Sequence, residues 1–315
     1  MIYTIHSDQN GLKNIKTVIT KNIYVPAIMK CYVLIIAFSI VQVSASIAQG
    51  AMVIMETITY KNVDNTELAV HMFYTDSARQ RNDNTAIAFF HGGGWAYGDP
   101  AEFHEACRRF AGKGYVTFSF QYRLSKNADG TYPNPDITPI EAVKDARSAI
   151  RWLRENAEML NIDTGKIVAG GQSAGGQLAL STALLDSINE ESDNVNISPV
   201  PNALILFSSN VNTLEPWIEM LLGDRRKEIW SISPYHNLRE GMPPAIAFHG
   251  EEDNQVLPYI VGFFNQKMSE LGNYFELHTY PGRRHYLGEG NEKYSRYFDE
   301  EILEKTDLFL ESFGF

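Results

Sequence analysis

Short apolar blocks recur along this chain at two spacings, with turn residues between them. VIMETITY (Val53–Tyr60) and ELAVHMFY (Glu67–Tyr74) predict two strands around the turn-like KNVDN. TAIAFFH (Thr85–His91) and GYVTFSFQY (Gly114–Tyr122) are continuous apolar runs, as expected of strands buried on both faces. TPIEAVKDARSAIRWLRENAEML (Thr138–Leu160) has helical spacing. Ile140, Val143, Ala146, Ile150 and Leu153 form its apolar stripe. Thr138 suits the cap of that helix, Pro139 its first position, and Glu141 completes a capping box. KIVAGG (Lys166–Gly171) predicts a strand, and AGGQLALSTALL (Ala174–Leu185) a helix directly after it. NALILFSS (Asn202–Ser209), PAIAFHG (Pro244–Gly250) and YFELHTYPG (Tyr274–Gly282) predict further strands. Helices are expected over about Tyr259–Leu271 and over Glu292–Phe313. Strands alternating with helices imply a mostly parallel central sheet with helices on both faces. The polar SINEESDNVNISPVPN (Ser187–Asn202) reads as a surface connection. Asn210–Gly241 is the longest stretch without a strand pattern, and a small insertion over a site is expected there. No internal repeat or low-complexity tract interrupts the order.

The first fifty residues follow a different rule. From Met29 the chain reads MKCYVLIIAFSIVQVSASIAQG: one positive residue (Lys30), an apolar run from Cys31 to Val43, and a tail of small residues. Ser46 and Ala48 fit positions −3 and −1 of a small-residue cleavage site. We expect a signal peptide over 29–48, cut after Ala48 (Ala45 is the alternative), with the mature chain starting at about Gln49. Residues 1–28 have no place in an ordinary signal peptide and read as an extension upstream of a start at Met29. The rival is an uncleaved anchor, but the apolar run is short of the roughly 20 residues a bilayer span needs. The expectation is therefore a secreted or periplasmic chain, out of the membrane after cleavage, with a single domain over 49–315.

Composition narrows the partners. The chain of 315 residues is 44% hydrophobic and 21% charged, ordinary globular values. Its formal net charge is −11 and no basic block stands out, which argues against nucleic acid or an anionic membrane surface as partner. With Cys31 inside the signal, Cys107 is alone in the mature chain, so no internal disulfide and no cysteine-pair metal site can form there. Oligomeric state is not legible.

The chemistry centres on GGQSAGGQLA (Gly170–Ala179). Ser173 falls where a strand ends and a helix begins, the context of a nucleophile elbow. Such a sharp turn needs small residues two before and two after the serine, and Gly171 and Gly175 stand there. The pentapeptide alone is also compatible with an inert serine at a tight turn. HGGGWAYGD (His91–Asp99), after the third strand, adds weight, because its glycines free backbone N–H groups to approach a ligand. Donors from Gly92 and Gly93, or from Gly93 and Gly94, would join the N–H of Ala174 around an oxyanion. One such donor is worth about 2.7–4 kcal/mol in a transition state. Neither a Walker loop nor a dinucleotide fingerprint is present.

A serine needs a base, and the base an orienting acid. His71 and His278 sit inside strand patterns, His104 on a helix, and His249 at a strand end, while the His91 ring is placed to brace the glycine loop. His285, in YPGRRHYLG past the last strand, is where this topology delivers the base. HGEEDNQVLP offers Glu251, Glu252 and Asp253 as the acid. The usual H-G-x-x-D-x-x-V spacing selects Asp253, with Val256 anchoring the loop and the two glutamates solvated.

HGGGW, YRLS (Tyr122–Ser125), YPNP (Tyr132–Pro135), GQSAGGQLA, SPYHNL (Ser233–Leu238), HGEEDNQV and PGRRH together make the sequence resemble the α/β-hydrolase fold. The resemblance is to its lipase/esterase branch with an H-G-G-G oxyanion motif. That branch includes hormone-sensitive-lipase-like esterases and polysaccharide acetyl or feruloyl esterases. Two departures stand out. Gln172 precedes the nucleophile where many hormone-sensitive-lipase-like members carry Asp, and their N-terminal helical cap has no counterpart. The resemblance implies a serine carboxylesterase with a minimal cap and an open site. Ser173, His285 and Asp253 would carry the reaction, with no metal or organic cofactor. Openness and secretion point to acyl groups (acetyl, another short chain, or feruloyl) on a bulky or polymeric alcohol such as plant polysaccharide, the partner being a small-molecule or polysaccharide ester. Trp95 and Tyr97 are expected to touch substrate, and Trp217 and Trp230 are further aromatics that could line a pocket. Two alternatives are a peptidase or amidase on the same fold (prolyl-oligopeptidase-like or arylformamidase-like) and a non-catalytic binding protein. The absence of a propeller pattern weighs against the first, and the complete triad in order against the second.

Overall fold

The strands assemble into one eight-stranded sheet of order β1-β2-β4-β3-β5-β6-β7-β8. They are β1 (Val53–Val63), β2 (Thr66–Thr75), β3 (Asn84–Phe90), β4 (Val116–Phe120), β5 (Ile162–Gln172), β6 (Ala203–Phe207), β7 (Ala245–Gly250) and β8 (Phe275–Tyr280). The computed structural model describes residues 52–288 and 299–315. The expected extension 1–28, the leader 29–48 with Ser46, Ala48 and Gln49, and the first part of the expected last helix lie outside the described residues. β2 is antiparallel to β1 and β4, and every other pairing is parallel. This is the mostly parallel sheet that the sequence resemblance implied.

Period-two alternation along the central strands sorts side chains between two cores. Ala86, Ala88 and Phe90 of β3 face one core, shared with α2 (Pro139–Glu155), α3 (Ala174–Leu184) and α5 (Pro258–Glu270). Ile87 and Phe89 face the other, shared with α1 (His104–Gly112) and α6 (Glu300–Ser312). β3 is buried at all seven positions, as the unbroken apolar run requires. α4 (Pro216–Leu222) lies between β6 and β7 in sequence and adds Ile218, Leu221 and Leu222 to the first core.

Several boundaries differ from expectation for local reasons. The first hairpin turn is only Asp64–Asn65, both at positive φ, so β1 continues through Lys61 and Val63. Asn and Asp tolerate that conformation, and it matches the strand twist. β5 starts at Ile162, before the apolar run, because its polar first half is only partly buried. The long helix ends at Glu155, and a separate turn, Ala157–Leu160, follows. Thr138 and Glu141 form both halves of the expected capping box. Cys107 is free and buried, and burial pushes its thiol up to about 12, so it is held as an inert core group. Among the described residues no helix is long and apolar enough to cross a membrane.

Candidate active site

Ser173 occupies the joint between β5 and α3 with φ 55° and ψ −117°. A non-glycine residue at positive φ is strained and persists only where its surroundings enforce it. Here the surroundings are backbone. A Cβ at Gly171 would fall 2.4 Å from the carbonyl of Gly175, and a Cβ at Gly175 would fall 2.0 Å from Phe90 O. The Ser173 N–H donates to Phe207 O at 3.0 Å, and its carbonyl accepts from Asn210 N at 3.0 Å. The turn is therefore clamped between β3 and β6, and the side chain stands half-exposed at the C-terminal end of the sheet.

The acid and the base arrive from loops that interlock. Gly250 ends β7, and a Cβ there would fall 2.3 Å from Arg283 O, so only glycine lets the β8 loop lie against the β7 loop. Glu252 N then donates to Arg283 O at 2.9 Å. Asp253 Oδ1 accepts from the N–H groups of Gln255 (2.8 Å) and Val256 (3.0 Å). Its Oδ2 lies 2.8 Å from His285 Nδ1. Burial pushes the Asp253 carboxyl up, but the His285 bond and the two N–H donors outweigh it and hold the group below its ordinary range. Glu251 and Glu252 are exposed. His249 Nε2 faces Val256 O at 2.9 Å and thereby fastens the acid loop from below.

The glycine loop forms the opposite wall. Gly93 and Gly94 have φ 116° and 58°, and Gly93 O accepts from Tyr97 N at 2.9 Å, which curls the loop. Among the described residues the N–H groups of Gly93 and Gly94 donate to no protein acceptor. The N–H of Ala174, first residue of α3, is likewise left over by the helix. Gly93 and Gly94 line the cavity beside Ser173, whereas Gly92, expected among the donors, does not. It lies behind that wall, where a Cβ would meet Gln172 Oε1 at 1.8 Å. The His91 ring stacks on Tyr122 at 4.3 Å and its Nδ1 lies 2.7 Å from Gly92 O, so it does brace the loop.

Burial lowers His91 to about 4 from an ordinary 6.5. As pH falls the unfolded chain takes up this proton first. The stability it contributes is whole above about 6.5 and drains away between 6.5 and 4, at up to about 1.4 kcal/mol per pH unit. Urea midpoints measured from pH 7 to 4.5 should fall accordingly, and less steeply in His91→Asn.

The cavity that joins these walls has a volume of about 460 Å³. Ser173, His285, Gly93, Gly94, Trp95 and Tyr97 all border it. Trp95, however, is 2% exposed and its indole N–H donates to Gln177 Oε1 at 3.0 Å, so its bulk packs into the core. Tyr97 is 42% exposed and forms an aromatic cluster with Trp217 (6.4 Å) and Tyr132 (5.4 Å). Trp230 is exposed against His236 and is not part of the wall. The strand-free segment after β6 supplies Asn210, Glu215 and Trp217 to the cavity. Burial raises the Glu215 carboxyl above its usual range, against the Asn210 hydrogen bond and the nearby His285. His71 and His278 stay on their strands and do not border the cavity. Among the described residues no group of three or more His, Cys, Asp or Glu is placed to hold a metal ion.

Sequence reasoning missed two positions. Gln177, fully buried, accepts from Trp95 and donates to Ile232 O at 2.8 Å, tying the glycine loop to the segment after β6 through α3. Gln172 was read only as a departure from a motif, yet its Nε2 lies 2.9 Å from His285 Nε2. Its place at the end of a buried strand, next to the nucleophile, was the available signal.

Comparison with known proteins adds to this geometry. The BD-FAE family profile matches residues 73–268. Lipase 2 of Moraxella sp. (strain TA144) is 34% identical over 129 residues, which is 40% of this chain and 28% of the lipase. The arylesterase of Saccharolobus solfataricus is 32% identical over 153 residues, 48% of this chain and 46% of that enzyme. The chain thus spans less than half the length of these curated relatives. Solved structures of Thermogutta terrifontis esterase 2 cover far more. The native form has TM-score 0.73 at 35% identity, over 84% of this chain and 93% of that one. The propionate-bound form has TM-score 0.73 at 36% identity, over 84% and 95%.

Proposed function

The chain belongs to the BD-FAE family of α/β-hydrolase esterases, and from that premise we propose that it is a serine carboxylesterase removing acyl groups (acetyl, another short chain, or feruloyl) from a hydroxylated alcohol such as a plant polysaccharide. The observation that carries this reading is one cavity bordered by a strained, accessible Ser173, a His285 already paired to a buried Asp253, and unspent N–H groups of Gly93 and Gly94.

The chemistry follows from the placement. His285 Nε2 takes the Ser173 proton as Oγ attacks the ester carbonyl. The N–H groups of Gly93, Gly94 and Ala174 hold the oxyanion, and Asp253 holds Nδ1–H and stabilises the imidazolium. The alcohol leaves with the proton from His285, and water cleaves the acyl-enzyme by the same route.

Two features support the substrate class. The wall combines Tyr97 and Trp217 with Glu102, Glu215, Asn210 and Gln255 and, among the described residues, carries no Lys or Arg, a lining suited to neutral hydroxylated groups. Thermogutta terrifontis esterase 2, the structural relative, has been solved with propionate and with butyrate bound. The test is a panel of p-nitrophenyl esters of increasing length, acetylated and feruloylated oligosaccharides, and aminoacyl anilides. Turnover of the short esters and of the oligosaccharides is expected. Preference for the anilides would favour an amidase, and indifference to the oligosaccharides would remove the polymer. Tyr97→Ala should raise KM for feruloylated oligosaccharide by about three- to tenfold, the worth of one aromatic contact, and by less for p-nitrophenyl acetate. The leader over 29–48 belongs to the same proposal and is supported by sequence pattern alone. N-terminal sequencing of secreted material should begin at about Gln49, and a mature chain retaining Tyr3 would overturn it.

A further inference from the structure

Gln172 is the last residue of β5, 2% exposed, and lines the cavity beside Ser173. Its amide nitrogen lies 2.9 Å from His285 Nε2. The direction of that bond is fixed by the far side of the ring. His285 Nδ1 faces Asp253 Oδ2, a carboxylate oxygen that can only accept, so Nδ1 carries the hydrogen. In the neutral ring Nε2 then holds a lone pair, and a carboxamide nitrogen can only donate to it. Gln172 thus occupies the same lone pair that must receive the Ser173 proton. Among the described residues the hydrogen bonds of the His285 ring go to Gln172 and Asp253 and none to Ser173 Oγ, which is the complement of this arrangement. The amide is also held from behind. Its oxygen lies against Gly92, at a point where any Cβ would fall 1.8 Å away, so the absent side chain at 92 is the slot that Gln172 fills.

We propose that Gln172 is a positioning residue that caps the resting base: its amide N–H occupies the His285 Nε2 lone pair, keeps it from Ser173, and releases it when substrate enters. The inference deepens the esterase reading and rests on it. The electrostatics around the ring give the cap a purpose. Asp253 on the β7 loop lies 2.8 Å from Nδ1, and Glu215 on the segment after β6 borders the same cavity. Glu102, after the glycine loop, borders the same cavity. His249 at the end of β7 opposes them, Tyr286 adjoins the ring, and Arg283 is turned to Asp299 at 2.9 Å. Against that acidic surplus, an amide N–H facing Nε2 works the other way. A protonated ring would present a second donor to it, and two donors facing each other repel. Gln172 therefore pairs with the ring as an acceptor at Nε2 and not as a second donor.

The test is the pH profile of kcat/KM for p-nitrophenyl acetate between pH 5 and 9, in the wild type, Gln172→Glu and Gln172→Met. A carboxylate at 172 accepts from Nε2–H and stabilises the protonated ring, so the acid limb should move up by about one pH unit or more. The methionine keeps the volume and deletes the donor, so its limb should move up by less. A purely structural role would lower the melting temperature and leave the Gln172→Met limb where it was, and an unmoved Gln172→Met limb overturns the inference. Titration with paraoxon as a serine label separates this outcome from a wrong esterase reading. A wild type that neither turns over ester nor takes up label would overturn that reading and this inference with it. Full labelling and turnover with an unmoved limb overturn the cap alone.

Discussion

Replacing Ser173 with alanine should abolish ester turnover, lowering kcat by about 10⁴- to 10⁶-fold, while the protein stays folded. The size follows from the site: with Oγ gone, His285 has no hydroxyl to activate, and only the oxyanion donors and binding remain. The retention of fold follows from the contacts. Ser173 is held by its backbone, through Phe207 O and Asn210 N, and these bonds do not involve Oγ. Alanine keeps the same Cβ at φ 55°, so the strain of the turn is unchanged. Turnover of p-nitrophenyl acetate and the melting temperature, measured together, check both halves. Undiminished turnover would remove Ser173 from the mechanism, and a large loss of stability would mean that the turn depends on the hydroxyl.

The succession of strands along the chain and the elbow were legible because they rest on local patterns. An apolar run long enough for a strand and too short for a helix, followed by Gly-x-Ser-x-Gly, has few other placements. The glycines explain themselves only in three dimensions. Gly171 and Gly175 were anticipated from the sharpness of the turn, but Gly250 was not, because its neighbour in space, Arg283, is over thirty residues on. Gln177 was hidden for the same reason, its partners Trp95 and Ile232 coming from two distant loops. The two aromatic substrate positions divided on direction. Trp95 and Tyr97 are two residues apart in one loop, and the loop's curl, with Trp95 at φ 61°, sends one ring into the core and leaves the other at the mouth. No periodicity reports that curl. The choice between Gly92 and Gly94 as a donor likewise depended on Gln172, which fills the space beside Gly92.

Asp253→Asn should cost nearly as much as loss of the serine, about 10⁴-fold in kcat near neutral pH. An asparagine has one oxygen for two jobs. In the native loop Oδ1 accepts two backbone N–H groups, from Gln255 and Val256, and Oδ2 accepts from His285. The amide nitrogen of asparagine cannot face the two backbone donors without leaving both unpaired in a buried site, so it must turn to His285. There it donates to Nδ1, the ring's hydrogen moves to Nε2, and the base is presented to Ser173 in the tautomer that cannot accept a proton. The Gln172 amide worsens this, since its nitrogen now confronts Nε2–H. The loop itself keeps its two backbone bonds and its His249 tie to Val256, so the fold should survive. Paraoxon labelling of Ser173 should slow in parallel with ester turnover, because both need the same base. If Asp253→Asn kept native turnover, the acid would have to be sought elsewhere. Glu251 and Glu252 would be the first to exclude, because both are exposed and no hydrogen bond joins either to His285 among the described residues.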